Sequence, residues 1–321
     1  MVRRILVFII LIITLSLSFA NAEVMYVKNQ NWTNYNNSII PDFTYSILCE
    51  DEKVEVISTM KYMISVWEPE DHIYRRISKE RRVSKIIKNG KNVYIERSAL
   101  TTKKPKYTYS IRNCNKEFVV SVGTYLYEKP YKKSNKIKLN TELCIATIGQ
   151  TNKWYQVYYH GKTYFIKKDC KNIKDIHDTE FPNIEVENSD KNCINRVKYY
   201  YSMMPKKIRD MMLDFTINVS NDSYNENIGQ IWFFKKKIWL REDDSYSLEY
   251  AFFHEIGHEI YRLNLPETDL TYESNNLALS TYHSVGKEFY AEGFELYIKQ
   301  YDMLKNKAPN LFNYYEQIVE W

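Results

Sequence analysis

Residues His254-Glu255-Ile256-Gly257-His258 form an H-E-x-x-H run. On a helix, side chains four apart share a face, so both imidazoles can point at one metal ion. Glu255 then lies beside the fourth coordination position, where a carboxylate can take a proton from metal-bound water. The whole chain has six His, and shuffling would produce such a run in roughly one sequence in a hundred. A third protein ligand is needed. The longer H-E-x-x-H-x-x-G-x-x-H pattern would require His at position 264, which is Asn264, so that class is excluded. A carboxylate from a later helix is the alternative. Glu288 and Glu292 are four apart in Glu288-Phe289-Tyr290-Ala291-Glu292, on a helix predicted to run to about Lys299. Either acid can bind metal while the other supports a ligating histidine. His283 is a rival ligand, read here as a loop or supporting residue.

These residues must be held by the elements around them. Ser247 can cap the first helix, and Leu248, Ala251, Phe252, Ile256 and Ile260 give it a buried face. Upstream, Cys193 to Leu213 carries apolar residues at helical spacing, split by Pro205. Phe215 to Val219 and Ile231 to Phe234 read as strands, and Lys235-Lys236-Lys237 turns toward Ile238-Trp239-Leu240. That last run suits either an edge strand for an extended substrate or an ordinary structural strand.

Ahead of this half the pattern changes. From about 40 to 170 the chain consists of short Val/Ile/Tyr-rich runs separated by turn residues, a small-barrel type of β structure. Gly90-Lys91-Asn92-Val93-Tyr94-Ile95 recurs as Gly161-Lys162-Thr163-Tyr164-Phe165-Ile166, with Gly-Lys where a hairpin should turn. Arg75 to Arg82 reads as a charged insertion in the first copy. Asn29 to Asn37 reads as a surface segment, and 171–190 as a polar stretch containing a linker. Arg3 and Arg4, the apolar Ile5 to Leu15 and Ala20-Asn21-Ala22 have the order of a cleaved signal peptide, too short for a membrane span.

Composition agrees with a multidomain globular chain: 321 residues, 26% charged and 44% hydrophobic. A formal net charge of +5 is too weak for a nucleic-acid binder, so no such partner is expected. The charge is uneven, with a basic front over 23–189 and a mildly acidic back over 190–321. Five Cys without a C-x-x-C pair leave buried thiols and one or two disulfides equally open.

Two resemblances sharpen the reading. Val119 to Val122, Tyr125-Leu126-Tyr127, Ile148-Gly149, Trp154-Tyr155-Gln156-Val157 and the Gly-Lys hairpin resemble, in that order, bacterial SH3-like domains. Such modules usually bind wall peptides or glycans; the earlier copy lacks the W-Y-x-V run. H-E-x-G-H followed by Glu288-Phe289-Tyr290-Ala291-Glu292-Gly293-Phe294, and then by Ala308-Pro309-Asn310-Leu311-Phe312, resembles the catalytic domain of anthrax toxin lethal factor and its relatives, among them secreted Pro-Pro endopeptidases. This likeness implies one zinc on His254, His258 and Glu288, with Glu255 as general base and Glu292 behind the ligands. The family's oxyanion Tyr lies seven residues before the ligand Glu. Here that position is Thr281, and a one-residue deletion in the loop would make Tyr282 its counterpart.

The expectation is a multidomain chain: signal peptide 1–22, SH3-like β domains over 23–110 and 111–175, a linker at 176–190, and an α+β zincin-like domain over 191–321. The expected activity is that of a secreted zinc metalloendopeptidase acting on protein or peptide, with a cell-wall polymer as a further partner of the basic front and no stable membrane insertion. Two other readings remain: a wall-binding protein whose protease domain has decayed, and a wall-peptide hydrolase.

Overall fold

The structure, a computed structural model, describes residues 23–27, 31–32, 47–48, 52–70, 73–88, 91–105, 107–189, 193–221, 228–242, 248–277, 279–319 and 321. The expected leader 1–22, most of Asn29 to Asn37, Cys49 and the capping Ser247 lie outside the described residues. The chain is a mixed α/β protein with several sheets, and it divides into two compact units, Met1–Ser110 and Ile111–Trp321. Among the described residues no helix is long and apolar enough to cross a membrane. Cys114, Cys144, Cys170 and Cys193 form no disulfide.

The first unit contains β1 (Glu23–Val27), the paired β2 (Asn31–Trp32) and β3 (Ile47–Leu48), β4 (Lys53–Glu70), β5 (Ile73–Lys88), β6 (Lys91–Glu96) and β7 (Leu100–Thr101). Five of them form one sheet in the order β6-β5-β4-β1-β7. Alternate residues Met25, Val27, Val54, Val56, Ile86 and Ile95, with Leu100, bury its core. The β4–β5 ribbon stays paired from Val56↔Ile86 out to Glu70↔Ile73, beyond the residues that β1 and β6 cover. Arg75 to Arg82, the charged segment of the first copy, is strand backbone within this extension. Its weak strand propensity is overridden by register with a β-branched and aromatic partner strand.

The second unit opens with β8 (Lys116–Val120), β9 (Tyr125–Tyr127), β10 (Lys136–Lys138), β11 (Leu143–Gln150), β12 (Trp154–Tyr159), β13 (Lys162–Lys167) and β14 (Ile173–Asp178), in the order β10-β9-β13-β12-β11-β8-β14. The Gly-Lys repeat marks a two-residue hairpin in both copies, closed by Lys88↔Lys91 and by Tyr159↔Lys162. In the second, His160 and Gly161 have φ of 48° and 74°, the left-handed pair that matches strand twist. Strand β12 is buried on both faces. Val157 enters the core of Phe118, Leu126, Leu143 and Ile166, while Tyr158, on the other face, donates its hydroxyl to the Ile298 carbonyl at 3.0 Å.

The stretch 176–190, read as linker, holds the end of β14 and all of β15 (Asn183–Glu187). Ile184 and Val186 alternate with polar residues there, a period-two pattern that the acidic composition disguised. After it come α1 (Cys193–Met203) and α2 (Lys206–Met212), separated at Pro205, then β16 (Thr216–Ser220), β17 (Gly229–Trp232) and β18 (Lys237–Arg241). The sheet order is β15-β16-β18-β17, with β17 antiparallel to β18 and the remaining pairs parallel. Ile238-Trp239-Leu240 thus lies inside the sheet between β16 and β17, and the edge beside the helices is β17. The fully apolar run suits a strand covered on both faces.

The remaining elements are α3 (Leu248–Leu263), the single turn α4 (Ser274–Leu277), α5 (Gly286–Lys299), α6 (Tyr301–Lys307) and α7 (Pro309–Ile318). Every residue from Ala251 to Ile260 is buried, so α3 is the central helix. It packs on α5 at Gly257, where an added Cβ would stand 2.7 Å from both the Cα and the carbonyl oxygen of Ala291. Glycine inside the H-E-x-x-H run is thus a packing requirement. It lets the two helices touch backbone to backbone.

Candidate metal centre

That close crossing positions the chemistry. Ala291 lies between Glu288 and Glu292 on α5, so both acids project toward α3 on either side of the Gly257 contact. Glu288 Oε2 lies 3.1 Å from His254 Nε2 and 3.4 Å from His258 Nε2. One donor atom from each of these three residues lies within 4.8 Å of the other two. Bonds of about 2.0–2.1 Å arranged tetrahedrally would separate such donors by about 3.4 Å. Two imidazoles and a carboxylate this close together could hold a metal ion, and zinc takes donors of these types. All three side chains are largely buried, at 8%, 9% and 12% exposure.

Glu292 faces the far side of His254, its Oε2 3.7 Å from Nδ1. Tyr250 joins them: its hydroxyl donates to Glu292 Oε2 at 2.7 Å and lies 3.4 Å from His254 Nδ1 and 3.2 Å from His283 Nε2. His283 Nδ1 lies 3.1 Å from Ser280 Oγ. His283 is therefore tied to the helix through Tyr250, outside the donor cluster. Tyr250 was missed in the sequence. Its signal was position: four residues before His254, it extends the same helical face by one turn. His258 has no such support, and its Nδ1 is buried with no partner among the described residues.

Electrostatics follow from these contacts. Burial works to raise the Glu288 carboxyl, yet hydrogen bonds to both imidazoles hold it well below the carboxylate range. Burial likewise works to lower His254, but its bonds to Glu288 and Glu292 and the charge of Glu255 raise it to about 9. His258, with less support, is lowered by burial. Burial also pushes Glu255 up to about 7; His254, Lys287 and a backbone bond from Ile231 oppose this, and Glu288 adds to it.

A cavity of about 230 Å³ opens over these residues. Gly229, Gln230 and Ile231 of β17 line it together with Phe233, Tyr282, Lys287, His254, Glu255, His258 and Glu288. Tyr282 is 64% exposed. Burial, with the charge of Glu288 and a hydrogen bond to it, raises its phenol above the usual value, so it remains a donor at neutral pH. Thr281, the in-register alternative, is not among the cavity-lining residues. Tyr290 is buried, and its hydroxyl accepts the Leu270 N–H at 2.9 Å. The chain matches no family model and no curated protein.

Proposed function

We propose that this chain is a zinc metalloendopeptidase of the lethal factor-like type. The observation that carries the reading is the grouping of donor atoms from His254, His258 and Glu288 within 4.8 Å of one another, in the lining of a cavity that Glu255 also lines. Zinc held by these three residues would supply Lewis acidity, activating water and polarising a peptide carbonyl. Glu255 accepts the proton of the attacking water and passes it to the leaving amine. A carboxylate placed beside the donor cluster can serve both halves of that transfer. Tyr282 donates its hydroxyl to the oxygen on which negative charge develops. Glu292 and Tyr250 keep the His254 ring in place from its Nδ1 side.

The finer fold assignment belongs to the same proposal. The four-stranded sheet with one antiparallel edge over a central H-E-x-x-H helix supports a zincin-like domain, and the strands β8–β14 with the two-residue β12–β13 hairpin support an SH3-like module. Export through the leader 1–22, and attachment of the basic front to an anionic wall polymer, complete the reading.

Metal analysis of the purified chain tests it. One zinc per chain is expected, lost on Glu288→Ala and retained on Glu292→Ala with weakened affinity. Equal loss in both variants, or retention in the first, contradicts the ligand assignment.

A further inference from the structure

Strand β17 does more than border the cleft. The Arg241 N–H donates to the Ile228 carbonyl at 2.8 Å, and Gln230↔Trp239 and Trp232↔Lys237 follow at two-residue steps along the same antiparallel ladder. In such a ladder alternate residues turn their N–H and C=O groups toward the neighbouring strand, and those between turn them away. Gly229 and Ile231 are the residues between. The outward N–H of Ile231 is already used, donating to the Glu255 carboxylate.

That bond draws the Glu255 side chain across position 229. A Cβ on Gly229 would stand 2.8 Å from Glu255 Oε1, 2.9 Å from Cγ and 3.2 Å from Cδ. Gly229 is not among the positive-φ glycines, so its backbone does not demand glycine. Space does. Glu255 also lines the cavity, so its side chain is the part that must give way to a Cβ at position 229.

We infer that Gly229 is a positioning residue for the general base: the absence of a side chain there, together with the Ile231 N–H, holds the Glu255 carboxylate over the donor cluster. The catalytic part of this inference rests on the hydrolase reading. A misplacement of about 1 Å in a reacting group can cost on the order of 10²-fold in rate.

The test uses Gly229→Ala in the full chain, by crystallography and by kinetics. The Glu255 carboxylate is expected to move by about 1 Å or more. kcat should fall at least about 10-fold with KM changed less than about 2-fold, and one zinc should remain bound. In the Glu255→Gln background the same substitution should cost less than about 2-fold further, because its route to the reaction is already gone. Should Gly229→Ala fail to fold, Ile231→Pro removes the donor from the side of the edge strand that the ladder does not use, and should give the same signature. An unmoved carboxylate, an unchanged kcat, or an equal loss in both backgrounds overturns the inference. Absence of cleavage by the unaltered chain overturns the hydrolase reading itself, whatever happens to Glu255 in the crystal.

Discussion

Two tyrosines separate transition-state contact from ligand support. Tyr282→Phe should keep zinc and lose about 10-fold to 10³-fold in kcat, because its hydrogen bond forms where charge develops. Tyr250→Phe removes a hydroxyl shared by Glu292, His254 and His283; it should weaken zinc affinity by about 10-fold or more. Titration against a competing chelator and steady-state kinetics would separate the two, and a Tyr282→Phe variant with full kcat would move the oxyanion role elsewhere. The donor residues were legible in the sequence because their chemistry is tied to helical spacing, which places His254 and His258 on one face. Tyr250 was not, since a tyrosine one turn earlier looks like any half-buried aromatic until the acid from α5 arrives beside it. Gly229 carried no signal of its own: the requirement comes from a side chain 26 positions away in the sequence.

At the scale of elements, the site depends on how closely α3 and α5 approach. Gly257→Ala would insert a methyl group where Ala291 backbone now lies 2.7 Å from the Cβ position, so the helices must separate. The expected result is a loss of about 1–3 kcal/mol in stability from overpacking, together with weaker zinc binding, because Glu288 travels with α5. Thermal unfolding with and without zinc would measure both; an unchanged affinity would show that the crossing distance does not set the site. The helices themselves were readable from amphipathic period, α5 as far as Lys299. The strands were less so. Ile238-Trp239-Leu240 was left open between an edge strand and an ordinary structural one, and apolarity on every residue marks the interior strand that it is. The true edge, Gly229-Gln230-Ile231-Trp232, is short and mixed, and its half-buried pattern emerges only from its place beside α3. The strand character of Arg75 to Arg82 was hidden for the complementary reason: its pairing is dictated by the partner strand, which local propensity does not report.

Across the second unit, the β8–β14 strands and the helices are locked together by contacts that sequence periodicity does not show. Arg209 of α2 pairs with Glu117 of β8 at 3.0 Å, both side chains almost fully buried. His160, at the tip of the β12–β13 hairpin, stacks on Tyr301 at 4.0 Å, and the neighbouring Lys162 pairs with Asp302 at 2.6 Å. Gly161 lies against the Tyr301 backbone, where a Cβ would meet its nitrogen at 3.3 Å. The Gly-Lys hairpin, first noticed as a repeat, is here a docking element at the C-terminal end of the helix that carries Glu288. Burial, with Lys305 adding and Asp302 opposing, lowers the His160 imidazole from 6.5 to about 4. The unfolded chain therefore binds the proton first as pH falls. This contribution is complete above about 6.5 and is lost between there and 4, on the order of 2 kcal/mol after allowance for partial exposure. His160→Phe keeps a ring in the stack and removes the titration. Denaturant unfolding at pH 7 and pH 4.5 should show a larger drop in the parent than in the variant; equal drops would remove His160 from the account.

The central claim, that this constellation hydrolyses peptide bonds, is tested most directly by digesting a peptide library with the zinc-loaded chain and reading the products by mass spectrometry, beside Glu255→Gln. Glutamine keeps the shape of the side chain and removes the proposed proton acceptor, while the proposed ligands His254, His258 and Glu288 are left in place. Cleavage by the parent is predicted, with a fall of at least about 10²–10⁴-fold in the variant at unchanged zinc content. Equal cleavage by both chains, or none by a parent that holds its zinc, would contradict it.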